Sequence, residues 1–474
     1  MLGETAALST QAVKNLSKGL LMTYLRTSSQ AADAEARPAE FKAYQAQLNE
    51  RLRREVDPEF YSHWDVTPTP LAITMDEWTL LKQRAGVLMR IVEKVVEMYV
   101  NGDTSLDSLF RAYSLFRPYM AKNFMTWQEY GRYDFIINTQ GEPVFIELNT
   151  AMASGYLPMA HVNRCFNETA PDFLRPQGTR TTLRYDDPDE FGRELLRMEM
   201  VAAVGEGAMA ILVDENKKFH ESELIKISLE RAGKKVIIGD VRDLVRKGGD
   251  IYLDGQRVSS TYNKFRLFGA QHHWGSDAWV ENRVFLEAVA NKRILSINNF
   301  AAMTVSEDKG IFAAMRLPSV QAALDQRERQ VVENNTPATW VLQPGTVTVQ
   351  GREVELIDHI KSQRGDFICK PRSDYRGSGV YSGRDHERGE WEKMVDSLPG
   401  QNYLVQSRVD AAMLDVTHTT EQGQVARAPM RIAGGIYFAD VVFQGLVARA
   451  APWEVVNAIN HAHVLPIYAL ENTP

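Results

Sequence analysis

Phe145-Ile146-Glu147-Leu148-Asn149-Thr150 is a short apolar run carrying one carboxylate and one carboxamide. Read as a strand, its period-two alternation puts Glu147 and Asn149 side by side with Phe145, and Ile146 and Leu148 on the opposite face. Two hard oxygen donors at a strand end, followed by the small-residue turn Ala151-Met152-Ala153-Ser154-Gly155, suit a magnesium ion carrying phosphates. A solvated sheet face reads the same way, so the rest of the chain decides.

Immediately upstream, Tyr133-Asp134-Phe135-Ile136-Ile137 and the turn Thr139-Gln140-Gly141-Glu142 complete a hairpin with Pro143-Val144-Phe145-Ile146. Before it, the chain reads as helical. Apolar residues at helical spacing run from Glu77 to Tyr99 and stop at Asn101-Gly102-Asp103. The Ala-rich, charged stretch from Ala31 to Pro38 reads as a loop or mobile linker.

Downstream, Met209–Val213, a helix from Glu221 to Ala232 capped by Gly233, and Lys235–Ile238 form a strand–helix–strand unit, with Val258–Tyr262 as a third strand. No Gly-x-Gly-x-x-Gly sits at its first turn, which argues against a dinucleotide. After residue 300 come a helix near Asp308 to Met315 and a variable stretch through Pro344. Strands follow at Phe367–Lys370, Tyr403–Gln406, Met430–Phe438 and Val441–Val447. The fold class is mixed α/β.

The 474 residues carry 44% hydrophobic and 24% charged side chains, an ordinary globular balance. A net charge of −7 argues against nucleic acid as the main partner. Cys165 and Cys369 are the only cysteines, which leaves no disulfide framework and no zinc knuckle; both read as buried small hydrophobes. The stretch around Leu20 to Leu25 is too short to span a bilayer, and no basic segment precedes an apolar core. The expectation is a cytoplasmic protein with no membrane partner.

Four further segments carry candidate chemistry. In Lys370-Pro371-Arg372-Ser373-Asp374-Tyr375-Arg376-Gly377-Ser378-Gly379, a strand ends in a lysine, and the glycines would let backbone N–H groups approach phosphate. A β-hairpin with a charged tip is the other reading. Lys309, beside Asp308, either reaches a nucleotide phosphate or is solvated. Tyr403–Gln406 with Ser407-Arg408 either faces an adenine or is a core strand. Lys264 and Arg266, near Tyr262, either bind an acidic group or decorate a strand. His272-His273 and His461-x-His463 lack a third ligand spaced for zinc and read as structural or surface residues.

Taken in order, these segments resemble the circularly permuted branch of the ATP-grasp superfamily, which holds eukaryotic-type glutathione synthetase and glutathionylspermidine-synthetase-like proteins. The resemblance spans roughly residues 130 to 450. It implies Glu147, Asn149 and Asp374 as magnesium ligands, and Lys309, Lys370, Gly377, Gly379, Gln406 and Arg408 around ATP. Ser154 would meet substrate, beside the Lys264 and Arg266 read above as candidate contacts, and Arg132 and Arg449 would be catalytic. Two departures are the loop Tyr375-Arg376-Gly377-Ser378-Gly379 in place of a glycine run, and Ser407 where that pattern has an acidic residue. The implied division is a helical region 1–130, a metal-site hairpin and loop 131–205, an open α/β pre-grasp-like domain 206–300, and a nucleotide-binding region 301–474. The implied activity is ADP-forming, ATP-dependent joining of a small-molecule carboxylate to an amine through an acyl phosphate. The alternative is a non-catalytic ATP-binding sensor. The helical N-terminal third offers a surface for a homodimer.

Overall fold

In the computed structural model, which describes residues 26–27, 31–56, 66–123, 126–213, 220–265, 280–372, 379–456 and 462–472, the hairpin around Asn138 seeds the central sheet. Strands Tyr130–Ile137 and Pro143–Asn149 pair antiparallel, and the Asn138 carboxamide oxygen accepts the N–H groups of Gln140 and Glu142 across the turn. Tyr130–Ile137 then pairs with Val425–Ala439, which pairs with Val442–Ala451, and His463–Val464 closes that edge. With Met413–Thr419 on the first half of Val425–Ala439, this makes a six-stranded sheet from both ends of the chain.

The alternation holds except at one point. Asp134 lies opposite Glu147 and Phe135 opposite Phe145, so Ile146 is an extra residue in a β-bulge. The bulge turns Phe145 away from Glu147 and onto the Leu148 face, which corrects the face assigned to Phe145 from simple alternation. Tyr133, Phe135, Phe145, Leu148, Ile436 and Phe438 all join the core beneath the sheet, packed with the helix Met75–Val100. Each fully buried aromatic or branched side chain contributes about 2 kcal/mol of hydrophobic stabilisation. The other face is left to Arg132, Asp134, Glu147 and Asn149.

A second sheet contains the expected strand–helix–strand unit. Ala208–Val213 pairs parallel with both Val236–Asp240 and Gln256–Lys264, and Leu295–Ile297 adds parallel to the latter. A third, four-stranded sheet orders Thr339–Val341, Tyr403–Ser407, Phe367–Pro371 and Tyr381–Ser382. Phe367, Cys369 and Val405 pack against Ile360 and Trp391 from the helices Leu356–Ser362 and Arg388–Ser397. By alternation, Lys370, Ile368, Leu404 and Gln406 face the other way.

Several sequence expectations are revised. Ala31–Ala36 is a helix, followed by the helix Pro38–Glu55. Alanine favours helix, Pro38 sits at the next helix's start, and Ala34 is buried, so this stretch is no linker. The N-terminal region also contains a strand, Leu71–Thr74, paired parallel with Ile467–Leu470. The long helix begins at Met75, fixed by a capping box between Thr74 and Glu77. The stretch read as variable contains the helix Gln326–Asn335, with the same device at Asp325 and Glu328. The helix expected from Asp308 begins at Ile311, leaving Lys309 in the turn after a π-helical segment, Ala302–Ser306. Both cysteines are buried, as expected. No described helix is long and apolar enough to cross a membrane.

Candidate functional site

On the polar face of the six-stranded sheet, charge is arranged in a chain. Asp134 pairs with Arg132 and, at 3.3 Å, with Arg449, which reaches it from the strand Val442–Ala451. Burial alone would raise the Asp134 carboxyl, but the two guanidinium groups hold it below its usual range. Gly435 makes room for this chain: a Cβ there would stand 2.7 Å from Arg132 Cδ and 2.8 Å from Asp134 Oδ1. Asn149 lies directly opposite Arg132 in the register, and its Nδ2 is buried without a partner among the described residues. Arg449 Nε is likewise buried and unpartnered.

Two lysines arrive from different layers. Lys309 Nζ sits 3.0 Å from Glu147 Oε1. Burial opposes the lysine's charge, yet Glu147 keeps its pKa above the ordinary value. The Lys370 ammonium, from the next-to-last residue of its strand, has no hydrogen-bond or ion-pair partner among the described residues. Burial, reinforced by nearby Lys309, pushes it down to about 8 against the pull of Glu147 and Asp134. The same face of its sheet carries Gln406 and Ser382, both on either side of Ile368. The Gln406 Oε1 and Ser382 Oγ atoms are buried and have no partner among the described residues.

The loop after the Glu147 strand is clamped at both ends. Glu307 accepts the N–H groups of Thr150 and Ala151, the latter at 2.8 Å. Burial lifts the Glu307 carboxyl to about 7 despite those bonds, and Glu147 adds to the rise. At the other end Glu221 accepts the Gly155 N–H at 2.7 Å and pairs with Lys264 Nζ at 2.8 Å. Lys264 also donates to the Ala153 carbonyl and the Ser154 hydroxyl, each at 3.0 Å. The Ser154 carbonyl accepts from Arg132 Nη1 at 2.6 Å and from the Tyr437 hydroxyl at 2.9 Å.

The structure thus brings Arg132, Arg449, Glu147, Asn149, Ser154, Lys264, Lys309 and Lys370 into one neighbourhood. Lys264 is buried beneath the Ser154 loop rather than presented as a surface cation. Gly379, with φ of +67°, is where the described chain resumes after Arg372, close against Tyr403 of the same sheet. Arg408 points elsewhere: its guanidinium is held by the Gly365 carbonyl, Asp410 and Glu454, so it offers no free fork to an adenine. Asp374, Gly377 and Arg266, with His272, His273 and His461, lie outside the described residues. His463 Nδ1 meets the Thr67 hydroxyl at 3.0 Å. Sequence reading missed Glu307, Glu221, Asp134 as a hub and Tyr437. Each acts through a partner distant in sequence, and only the Arg132-x-Asp134 alternation gave a local hint.

Among the described residues no group of three or more His, Cys, Asp and Glu is arranged to hold a metal. One carboxylate and one carboxamide on the same strand face remain, with Glu147 about one-third open and already facing a cation. That donor set would suit a hard divalent cation that keeps part of its water.

No family model matches the chain, and no curated protein matches it. Among solved structures, it is similar to a glutathione synthetase-like effector from Globodera pallida in its apo form. That similarity has a TM-score of 0.53 and 10% identity, and covers 85% of this chain and 89% of the effector. It also aligns with a protein provisionally assigned as a gamma-glutamylcysteine synthetase from Methylobacillus flagellatus. There the TM-score is 0.38 and identity 12%, over 81% of this chain and 88% of the other. The fold is therefore glutathione-synthetase-like, a mixed α/β architecture of several sheets.

Proposed function

We propose that this chain is an ADP-forming, ATP-dependent carboxylate–amine ligase with a circularly permuted ATP-grasp arrangement, acting on small molecules. The observation that carries the reading is the meeting of Glu147, Lys309 and Lys370, from three separate segments, beside the Arg132–Asp134–Arg449 chain.

The chemical problem is to bring an anionic carboxylate against an anionic triphosphate. Unpartnered Lys370 is a ready receptor for phosphate charge, and Lys309 would exchange Glu147 for a phosphate oxygen. Magnesium, held by Glu147 and Asn149 with Asp374 as a proposed third ligand, would supply further neutralisation of phosphate charge. The substrate carboxylate attacks the γ-phosphorus, ADP leaves, and an acyl phosphate results. The amine then adds to the acyl carbon and inorganic phosphate departs, leaving an amide. Arg449, with a spare buried donor, is the natural contact for the substrate carboxylate, while Arg132 holds the Ser154 loop beside it.

The test is magnesium-dependent ADP release from ATP with pools of amino acids and polyamines. Release is expected with a pool containing the correct pair, and Glu147→Ala should lower it by about a hundredfold or more. Release unchanged by Glu147→Ala would overturn the metal role. ATP binding with no release from any pool would identify a nucleotide sensor instead.

A further inference from the structure

Asp308 and Arg372 flank the two lysines: Asp308 immediately precedes Lys309, and Arg372 follows Lys370 by two residues. Their side chains meet in a two-point pair, Nε to Oδ1 at 3.0 Å and Nη2 to Oδ2 at 2.6 Å. The backbones meet as well, with the Lys309 N–H donating to the Arg372 carbonyl at 3.2 Å. Further side-chain contacts tighten the same junction. Asp308 accepts the Tyr113 hydroxyl at 2.9 Å and the Gly310 N–H at 2.7 Å. Arg372 Nη2 also donates to the Leu109 carbonyl at 2.6 Å, and the Arg372 N–H donates to the Asn402 carbonyl at 3.0 Å. Space is reserved for the pair, since a Cβ on Gly310 would stand 2.9 Å from Arg372 Nη2 and 3.0 Å from Asp308 Oδ1.

We propose that the Asp308–Arg372 pair is a positioning brace that sets the gap between Lys309 and Lys370 and so matches them to a polyphosphate. The proposal rests on the ATP reading of the site. Two lysines near one carboxylate repel each other, and their segments belong to different layers, so without a tie the gap would widen. A bidentate guanidinium–carboxylate pair fixes both distance and direction, which a lysine in place of Arg372 could not do. The Asp308 carboxylate is taken up by Arg372, Tyr113 and the Gly310 N–H, and Arg372 spends Nε and Nη2 inside the junction, so the pair is assigned to act through the lysines rather than on ligand.

The experiment measures binding of magnesium-ATP and of adenosine to wild type, Arg372→Lys, Asp308→Asn and the double variant. Each single variant should bind ATP about tenfold more weakly, the double no worse than either, and adenosine should change less than twofold. Parallel loss of ATP and adenosine, unchanged ATP binding, or losses that multiply in the double variant would overturn the brace. If wild type binds no ATP, the ligase reading fails, and the brace is judged by amine-reactive labelling read by mass spectrometry. Arg372→Lys should then speed modification of Lys309 and Lys370 about tenfold and leave buried Lys264 unchanged. Equal acceleration at all three lysines, or at none, would count against it.

Discussion

Lys264, Lys309 and Lys370 are all buried lysines, yet they differ in one respect. The first two have carboxylates within 3.0 Å, Glu221 and Glu147, while Lys370 has, among the described residues, only the field of charges it does not touch. The six-stranded sheet and its loop have settled their own electrostatics. The four-stranded sheet presents an ammonium, and on the same face the polar atoms of Gln406 and Ser382, that have no partner among the described residues. A protein can hold charge in a cleft by pairing it or by waiting for a ligand, and this chain does both within one site.

The contrast breaks most visibly by substitution. Lys264→Met should cost the most, about 3–5 kcal/mol in urea unfolding, because it strands the buried Glu221 carboxylate. A loss below 1 kcal/mol would mean the pair does not hold the Ser154 loop. Lys370→Met should do the opposite and stabilise the empty protein by about 3 kcal/mol at pH 7. The sign follows from the proton count: the unfolded lysine keeps its proton up to about 10.5, the folded one only to about 8. Between those values the unfolded chain binds more protons, so wild-type stability rises with pH there. The advantage of Lys370→Met is therefore full below pH 8 and fades towards pH 10.5, a trend that urea midpoints across that range would check. Lys309→Met should be the mildest, costing about 1–2 kcal/mol, since the Glu147 it abandons is partly open to water. If Lys309→Met and Lys370→Met shift stability in the same direction, the contrast is wrong.

Much of this arrangement was legible in sequence because it is local. The hairpin, its turn, the strand–helix–strand unit and the Glu147–Asn149 pairing follow from alternation and turn residues within a few positions. Phe145 was misplaced because a bulge is invisible to period-two counting; it appears only once Asp134 is seen opposite Glu147. The helix at Ala31–Ala36 was missed because its small residues lack a stripe of large apolar ones, although burial of Ala34 anchors it. Glu307 and Glu221 carried no local signal at all. Their partners, the N–H groups of Thr150, Ala151 and Gly155, lie far off in sequence, and a backbone donor leaves no mark on residue type. Arg408 looked like a nucleotide contact because two of the groups that hold its guanidinium, Gly365 and Glu454, lie more than forty residues away on either side.

The central claim is that Glu147, Asn149, Lys309 and Lys370 form one nucleotide–metal site. A crystal structure with magnesium and a non-hydrolysable ATP analogue tests it most directly. The account predicts a cation coordinated by Glu147 and Asn149, Lys309 moved from Glu147 to a phosphate oxygen, and Lys370 in contact with phosphate. A nucleotide bound elsewhere, with the Lys309–Glu147 pair still closed at 3.0 Å, would contradict it.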